Sequence, residues 1–496
     1  MARTATRPNI LWICTDSQRP DTIGALGNAH IRTPTLDRLV AGGVAFTRAY
    51  AQSPMCTPSR SSFLTGTYPS TAHACRNGVP QFSDRFPLVT RLLADAGYDC
   101  ALVGKLHLAS AYGQVEPRVD DGYRYWRYSH APRDDWPDGH DYADWVKGHG
   151  TTLAELIKDP NGVPAELHQT TWCANETINF IGEQRDGPWL ASVNIYDPHP
   201  PFNPPLAYRR RYDPQALPGP AYRESDLAQQ ERLAAVDFQS RARPPEELDM
   251  ASPVLPRTPG PGGVWHDPAP PSDAPAFLEA RDARTLKAAY YAMIEQIDDR
   301  VRGMLEAVEE AGQLDDTLVI FMSDHGEALG DHGLIQKGCR FYDSAVRVPL
   351  ILSWPGRVQA GLRSPALVEL TDLAPTLLES AGLEPPHWMQ GRSLLPLLTD
   401  EAPSDRHRDF VRSEYYDAVD MPDNTHATMY RDDRYKLVVY HGHGQGELYD
   451  MQADPDEHDN LWDAPDRQAL KTDLLLRSFD ATVFGIDHGD PRIGPI

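Results

Sequence analysis

A chain of 496 residues can bury a large core without disulfide or metal staples, and 41% hydrophobic with 24% charged residues is an ordinary globular make-up. Its 71 acidic against 47 basic residues leave a formal charge of −24, which argues against a nucleic-acid or anionic-membrane surface. The six cysteines (Cys14, Cys56, Cys75, Cys100, Cys173, Cys339) include no CxxC pair, and the opening MARTATRPN lacks the apolar core of a secretory signal. A reduced, cytoplasmic protein without a membrane span is the expectation.

Residues 9–15 (NILWICT) are apolar without a helical period and lie between Pro8 and Asp16, which predicts a strand buried on both faces. Thr33-Pro34 predicts a capped helix over TLDRLVAGG. Pro58 and Gly66 bracket the next helix and place Cys56 just ahead of its N-terminus. Helix-then-strand pairs follow: PLVTRLLADAGY before DCALVG, then HQTTWCANETINFIGEQ before WLASVNIYD. In the clearest pair Leu286, Tyr290, Met293, Ile297, Val301, Met304 and Val308 keep helical spacing, Gly312 ends the run, and LVIFMSD follows. PLILSW adds a strand and LTDLAPTLLESAG a helix. This alternation predicts an α/β fold with a doubly wound, mostly parallel central sheet flanked by helices.

Two stretches break the pattern. Residues 203–275 are rich in proline and charge and predict an insertion over the sheet, a lid or binding loop. After about residue 404, RDFVRSEYY, ATMYRD and YKLVVYH predict a smaller antiparallel-sheet unit. The expected division is an α/β domain over 1–403 and a C-terminal α+β subdomain over 404–496.

In open α/β sheets, ligands collect at the carboxyl ends of the strands. Asp16 follows the first predicted strand and Asp324-His325 follows LVIFMS, so carboxylate and imidazole there are candidate ligands for a divalent cation. A helix N-terminus lowers a thiol pKa and favours anions, which marks Cys56. Taken singly these are weak signals, since an Asp at a strand end is more often a turn former and a lone Cys more often core.

Cys56-Thr57-Pro58-Ser59-Arg60, with Leu64-Thr65-Gly66 after it, resembles the signature of the formylglycine-dependent sulfatases of the alkaline phosphatase superfamily. The resemblance extends over most of the chain. It takes in PNILWICTD, TPTLDRL, Gly104-Lys105-Leu106-His107, Asp197-Pro198-His199-Pro200-Pro201-Phe202, Ser323-Asp324-His325-Gly326-Glu327, Lys337, YKLVVY and GELYDMQADPDEHDNLW. It implies that Cys56 is oxidised to formylglycine by a formylglycine-generating enzyme, and that its hydrate attacks a sulfate monoester to leave a covalent sulfo-enzyme hemiacetal. It implies one divalent metal ion held by Asp16, Cys56, Asp324 and His325. Arg60 would hold the hydrate and Lys105 would contact both nucleophile and sulfate. His107 would act as the base that regenerates the aldehyde, and His199 and Lys337 would bind sulfate and serve the leaving alcohol. Asn77 is a candidate substrate contact, and His332 is expected at the surface or behind the site. Arg60, Lys105, His107, His199 and Lys337 would also supply the local positive charge that an anionic substrate needs against the net charge.

Where many members have two adjacent aspartates, this chain has Asp16-Ser17-Gln18; where many have Asp-Asn, it has Asp324-His325. Ca²⁺ and Mn²⁺ are both open, the imidazole favouring the latter. The Asp-His pair is also typical of the related phosphonate monoester hydrolases, which act on phosphonate monoesters and phosphodiesters. Those tend to have neutral hydroxyl residues where Lys105 and His107 stand, so sulfate ester hydrolysis is the first reading and phosphonate ester hydrolysis the alternative. A catalytically silent sulfate-ester binding protein, with Cys56 unmodified, is the reading from another class; the retained base and acid groups argue against it. The alcohol half of the substrate is not legible, though 203–275, the aromatic run Tyr123–Trp136 and the C-terminal part are expected to select it. Oligomeric state is likewise open, a homo-oligomer being the default.

Overall fold

The computed structural model describes residues 7–111, 114–132, 139–159, 161–234, 236, 242–248, 282–419, 424–487 and 489. Nine strands make the first sheet: β1 Asn9–Thr15, β2 Val44–Tyr50, β3 Asp99–Gly104, β4 Tyr125–Tyr128, β5 Trp189–Ile195, β6 Thr317–Ser323, β7 Arg347–Val348, β8 Leu350–Ser353 and β9 Leu362–Glu369. Their order is β4-β3-β5-β1-β6-β8-β2-β7, with β9 also paired to β2. From β4 to β6 every neighbouring pair is parallel, whereas β8 runs antiparallel to both β6 and β2. The expected mostly parallel sheet is therefore present.

Alternation within β1 shows why the run had to be continuously apolar. Ile10, Trp12 and Cys14 enter the core on one face, and Leu11 and Ile13 enter the core on the other. Helices Gln169–Ile181 and Ala283–Glu310 pack against each other on the latter side, where Trp172, Ile297, Val301 and Met304 join that core. Helix Pro34–Gly42 starts as expected, but Thr33 caps nothing. Its Oγ1 accepts from Gly24 N and donates to Asp37 instead.

A second sheet of four antiparallel strands follows: β10 Val411–Tyr416, β11 His426–Arg431, β12 Tyr435–Tyr440 and β13 Gln445–Asp450. Helix Gln468–Phe484 packs on β12. The stretch expected to be an irregular insertion contains the regular helix Glu224–Arg232. Residues 235, 237–241 and 249–275 of that stretch lie outside the described residues, as does Trp136 of the aromatic run. Among the described residues no helix is long and apolar enough to cross a membrane.

Candidate active site

The adjacent strands β3, β5, β1 and β6 end side by side, and each delivers a predicted residue from its carboxyl end. Asp16 follows β1, Asp324-His325 follow β6, Lys105 and His107 follow β3, and His199 lies in the turn after β5. Gly104 makes the exit from β3: its φ is +97°, and a Cβ there would stand 2.0 Å from Asn194 O. Lys105 N then bonds to that same carbonyl at 3.0 Å.

Cys56 enters as the first residue of helix Cys56–Thr65, which starts two positions earlier than its proline implied. All ten residues of this helix are buried, and Gly66 closes it at φ +72°. Its N-cap Met55 offers no side-chain acceptor. Asn77 does so instead, accepting from Thr57 N at 3.0 Å. The structure thus gives Asn77 a helix-capping role through its side-chain oxygen.

Four donors converge. Cys56 Sγ is 3.2 Å from His325 Nε2 and 3.9 Å from each carboxylate oxygen of Asp16. His325 Nε2 lies 3.6 Å from both Asp16 Oδ1 and Asp324 Oδ1. His325 Nδ1 donates to Gly326 O at 2.9 Å, so in the neutral ring it is Nε2 that carries the lone pair. The donor atoms of Asp16, Cys56, Asp324 and His325 all lie within 4.8 Å of one another and are buried. Two carboxylates, an imidazole and a thiol so arranged fit a divalent cation in their donor chemistry. Ser17, at φ +68°, does not join them: its Oγ donates to Asp16 Oδ1 at 3.0 Å and its N–H to Asp324 Oδ1 at 3.2 Å. Gln18 is committed to Thr15 and Thr22.

Cations enclose this group. Lys337 Nζ stands 3.0 Å from Cys56 Sγ and 3.1 Å from His325 Nε2. Lys105 Nζ donates to Asp16 Oδ2 at 2.6 Å and lies 3.8 Å from Cys56 Sγ. Arg60, 1% exposed, bonds Asp324 Oδ2 through Nε at 2.9 Å and reaches Lys105 O and Asn194 Oδ1 through Nη1. Its Nη2 has no hydrogen-bond partner. Burial alone would raise the Cys56 pKa, and Asp16 adds to that, yet Lys105, Lys337 and His325 together hold the thiol well below its ordinary value.

The two histidines sit differently. Burial, with Lys105 and Arg60 adding to it, holds His107 well below the ordinary imidazole range, so it is neutral. Its Nδ1 has no hydrogen-bond partner, and its ring packs edge-on against His130 at 4.4 Å. His199 is likewise pushed well down by burial, then by Lys337. Its Nδ1 lies 2.7 Å from Pro200 O, and its ring packs 4.7 Å from Tyr196.

Motif spacing gave no sign of Glu116. Its buried carboxylate accepts from the backbone N–H groups of His107, Leu108 and Ala109 at 2.6, 2.7 and 2.9 Å. It thereby holds the turn in which His107 adopts φ +57°. His332 lies with Asp226 and His458, a separate group from these ligands.

Comparison with known proteins agrees with this geometry. Residues 8–383 match the family model described as Sulfatase, and residues 330–480 match that described as N-sulphoglucosamine sulphohydrolase, C-terminal. The chain is 30% identical to a multifunctional alkaline phosphatase superfamily protein of Trinickia caryophylli, covering 98% of this chain and 96% of that one. It is 28% identical to an arylsulfatase of Clostridium perfringens, covering 92% and 90%. The crystal structure of the phosphonate monoester hydrolase of Agrobacterium radiobacter superposes with a TM-score of 0.77 at 27% identity, over 97% of this chain and 96% of that one. With the signature cysteine, its flanking cations and a family model spanning most of the sequence in agreement, the chain belongs to the sulfatase family.

Proposed function

We propose that the protein hydrolyses sulfate monoesters, with Cys56 converted to formylglycine by a generating enzyme and a divalent cation held by Asp16, Asp324, His325 and residue 56. The observation that carries this reading is the pair of ammonium groups, Lys105 and Lys337, within 3.8 Å of Cys56 Sγ. When bound, such a cation offsets the ester's negative charge and acts as a Lewis acid, while formylglycine supplies the attacking hydroxyl.

The chain's own groups divide the remaining work. Lys105 and Lys337 hold the sulfuryl oxygens beside residue 56, as fixed positive charge does where negative charge develops. Arg60 keeps Asp324 in place, and its unspent Nη2 is a donor for a hydroxyl on residue 56. A base must be neutral and have a free nitrogen, and His107 has both. His199 is neutral without substrate, but a bound anion raises an imidazole pKa, so it can take up a proton and pass it to the leaving oxygen.

A second reading, phosphonate monoester hydrolysis, is favoured by Asp324-His325 and by the likeness to phosphonate monoester hydrolase structures. The protein co-expressed with a formylglycine-generating enzyme, in Ca²⁺ or Mn²⁺, is assayed on 4-nitrophenyl sulfate and 4-nitrophenyl phenylphosphonate, with Cys56→Ala as blank. A higher kcat/KM on the sulfate supports the first reading. A higher value on the phosphonate replaces it with the second.

A further inference from the structure

A second group of metal-type donors lies where three chain-distant segments meet. Asp226 is in the first turn of helix Glu224–Arg232, His332 is in the 3-10 turn Asp331–Gly333, and His458 is in the loop after β13. His458 Nδ1 is 3.1 Å from each Asp226 carboxylate oxygen, and His332 Nδ1 is 3.6 Å from Oδ2. The 3.1 Å contacts are hydrogen-bond distances, and since two ligand atoms at about 2.0–2.1 Å from a tetrahedral ion stand about 3.3 Å apart, one ion can also be shared at these spacings.

Their surroundings agree. The Asp226, His332 and His458 side chains are 1%, 3% and 5% exposed. His332 Nδ1 is buried without a hydrogen-bond partner, an arrangement that costs free energy unless something fills it. The residue holds its ring there from a φ of +55°, a conformation uncommon for a side-chain-bearing residue. The ring is stacked on Tyr342 at 3.8 Å and 17°, and Tyr342 is pinned by Gln230 and Glu447. Arg223 offers Asp226 its backbone N–H, while its guanidinium goes to Asp459. His332 borders a cavity of about 510 Å³. Its carboxylates Asp21, Asp331, Asp343, Asp456 and Glu457 outnumber Arg19, Lys287 and Arg347.

We infer that Asp226, His332 and His458 hold a second divalent ion, of the zinc class, that ties the insertion helix to the C-terminal sheet. Imidazole with one carboxylate suits zinc and its transition-metal neighbours, not the oxygen-seeking Ca²⁺ or Mg²⁺. A water from the cavity completes the coordination. The site stands apart from the hydrolytic reaction and does not depend on that reading.

The test counts zinc by emission spectrometry after loading and dialysis. In an Asp16→Ala/Asp324→Ala variant, stripped of active-site donors, about one zinc per chain is expected, and none once His332→Gln and His458→Gln are added. No zinc in the first protein, or zinc persisting in the second, overturns the inference. If the first variant fails to fold by circular dichroism, the comparison is made in the otherwise intact chain. There His332→Gln/His458→Gln must lower the count by about one, and an unchanged count overturns the inference.

Discussion

Among the described residues, two buried clusters combine carboxylate and imidazole at metal-ligand spacing, and they differ most in the cations around them. At the sheet edge, Asp16 and Asp324 face Lys105, Lys337 and Arg60, all within 4.0 Å of one carboxylate or the other. At the joint between insertion and second sheet, Asp226 faces two imidazoles, and the nearby arginine side chain is turned to Asp459. A cluster ringed with fixed positive charge can hold a cation and an anionic substrate together. One without that ring can hold a cation but gives an anion nothing to bind. The donor types are similar, and the neighbours decide the chemistry.

The comparison breaks most sharply at Cys56. Cys56→Ala should lower kcat/KM on the preferred ester by on the order of 10⁴-fold or more, while circular dichroism stays unchanged. Retention of a tenth of the activity would remove residue 56 from the reaction. The next largest effect is on stability. Asp324→Ala removes the 2.9 Å partner of the buried Arg60 and leaves it only the longer 3.6 Å contact to Asp16, which should cost about 3–5 kcal/mol in urea unfolding. Asp226→Ala, at the cluster without fixed cations, should cost less under metal-free conditions. Equal costs would mean that the guanidinium is satisfied by Lys105 O, Asn194 and Asp16 without Asp324.

Lys105→Ser sharpens the reading of the cation ring. It should lower kcat/KM on 4-nitrophenyl sulfate by on the order of 10²-fold, as loss of one charge-stabilising donor does, and lower it less on the phosphonate. An equal fall on both would show that Lys105 serves a general anion and gives no grounds for choosing between them.

How much of this was legible in the sequence follows from what sequence encodes. Buried parallel strands must be apolar on both faces, so β1, β3, β5 and β6 were readable, as were Asp16 and Asp324-His325 at the ends of β1 and β6, whereas Lys105, His107 and His199 came only with the family resemblance. β2, VAFTRAY, was not read, because Thr47 and Arg48 interrupt its apolar run where it is only partly buried. The motif located Cys56, Asp324 and His325, but not what positions them. Glu116 works through three backbone N–H groups, and Asn77 caps a helix 20 positions upstream. Neither contact has a sequence period or a fixed spacing. His332 was set aside for the same reason: its partners Asp226 and His458 belong to segments that only tertiary structure brings together.

A smaller effect concerns the neutral histidines. His107 and His130 are both pushed well below the ordinary imidazole range, first by burial, and they pack together. A group with a depressed folded-state pKa gives stability that is present above its unfolded value of about 6.5 and lost as pH falls through the folded value. The melting temperature should therefore fall as pH drops from 7.5 to 5.5. His130→Phe should flatten the pH dependence of stability, by at most about 1.4 kcal/mol per pH unit. A slope unchanged in His130→Phe would show that His130 carries no part of it.

Asn77 gives the smallest effect and the finest distinction. If its side chain serves the helix that begins at Cys56, Asn77→Ala should cost about 1 kcal/mol of stability, and Asn77→Asp should restore most of it, since aspartate also accepts from Thr57 N. The negative charge of aspartate beside the anion site would, however, weaken binding of a sulfate ester if that side chain also met the substrate. An unchanged KM in Asn77→Asp with stability restored assigns the residue to the helix alone. A raised KM at full stability would return it to the substrate, and would mean that one amide both caps the nucleophile's helix through its oxygen and reaches the ester through its nitrogen.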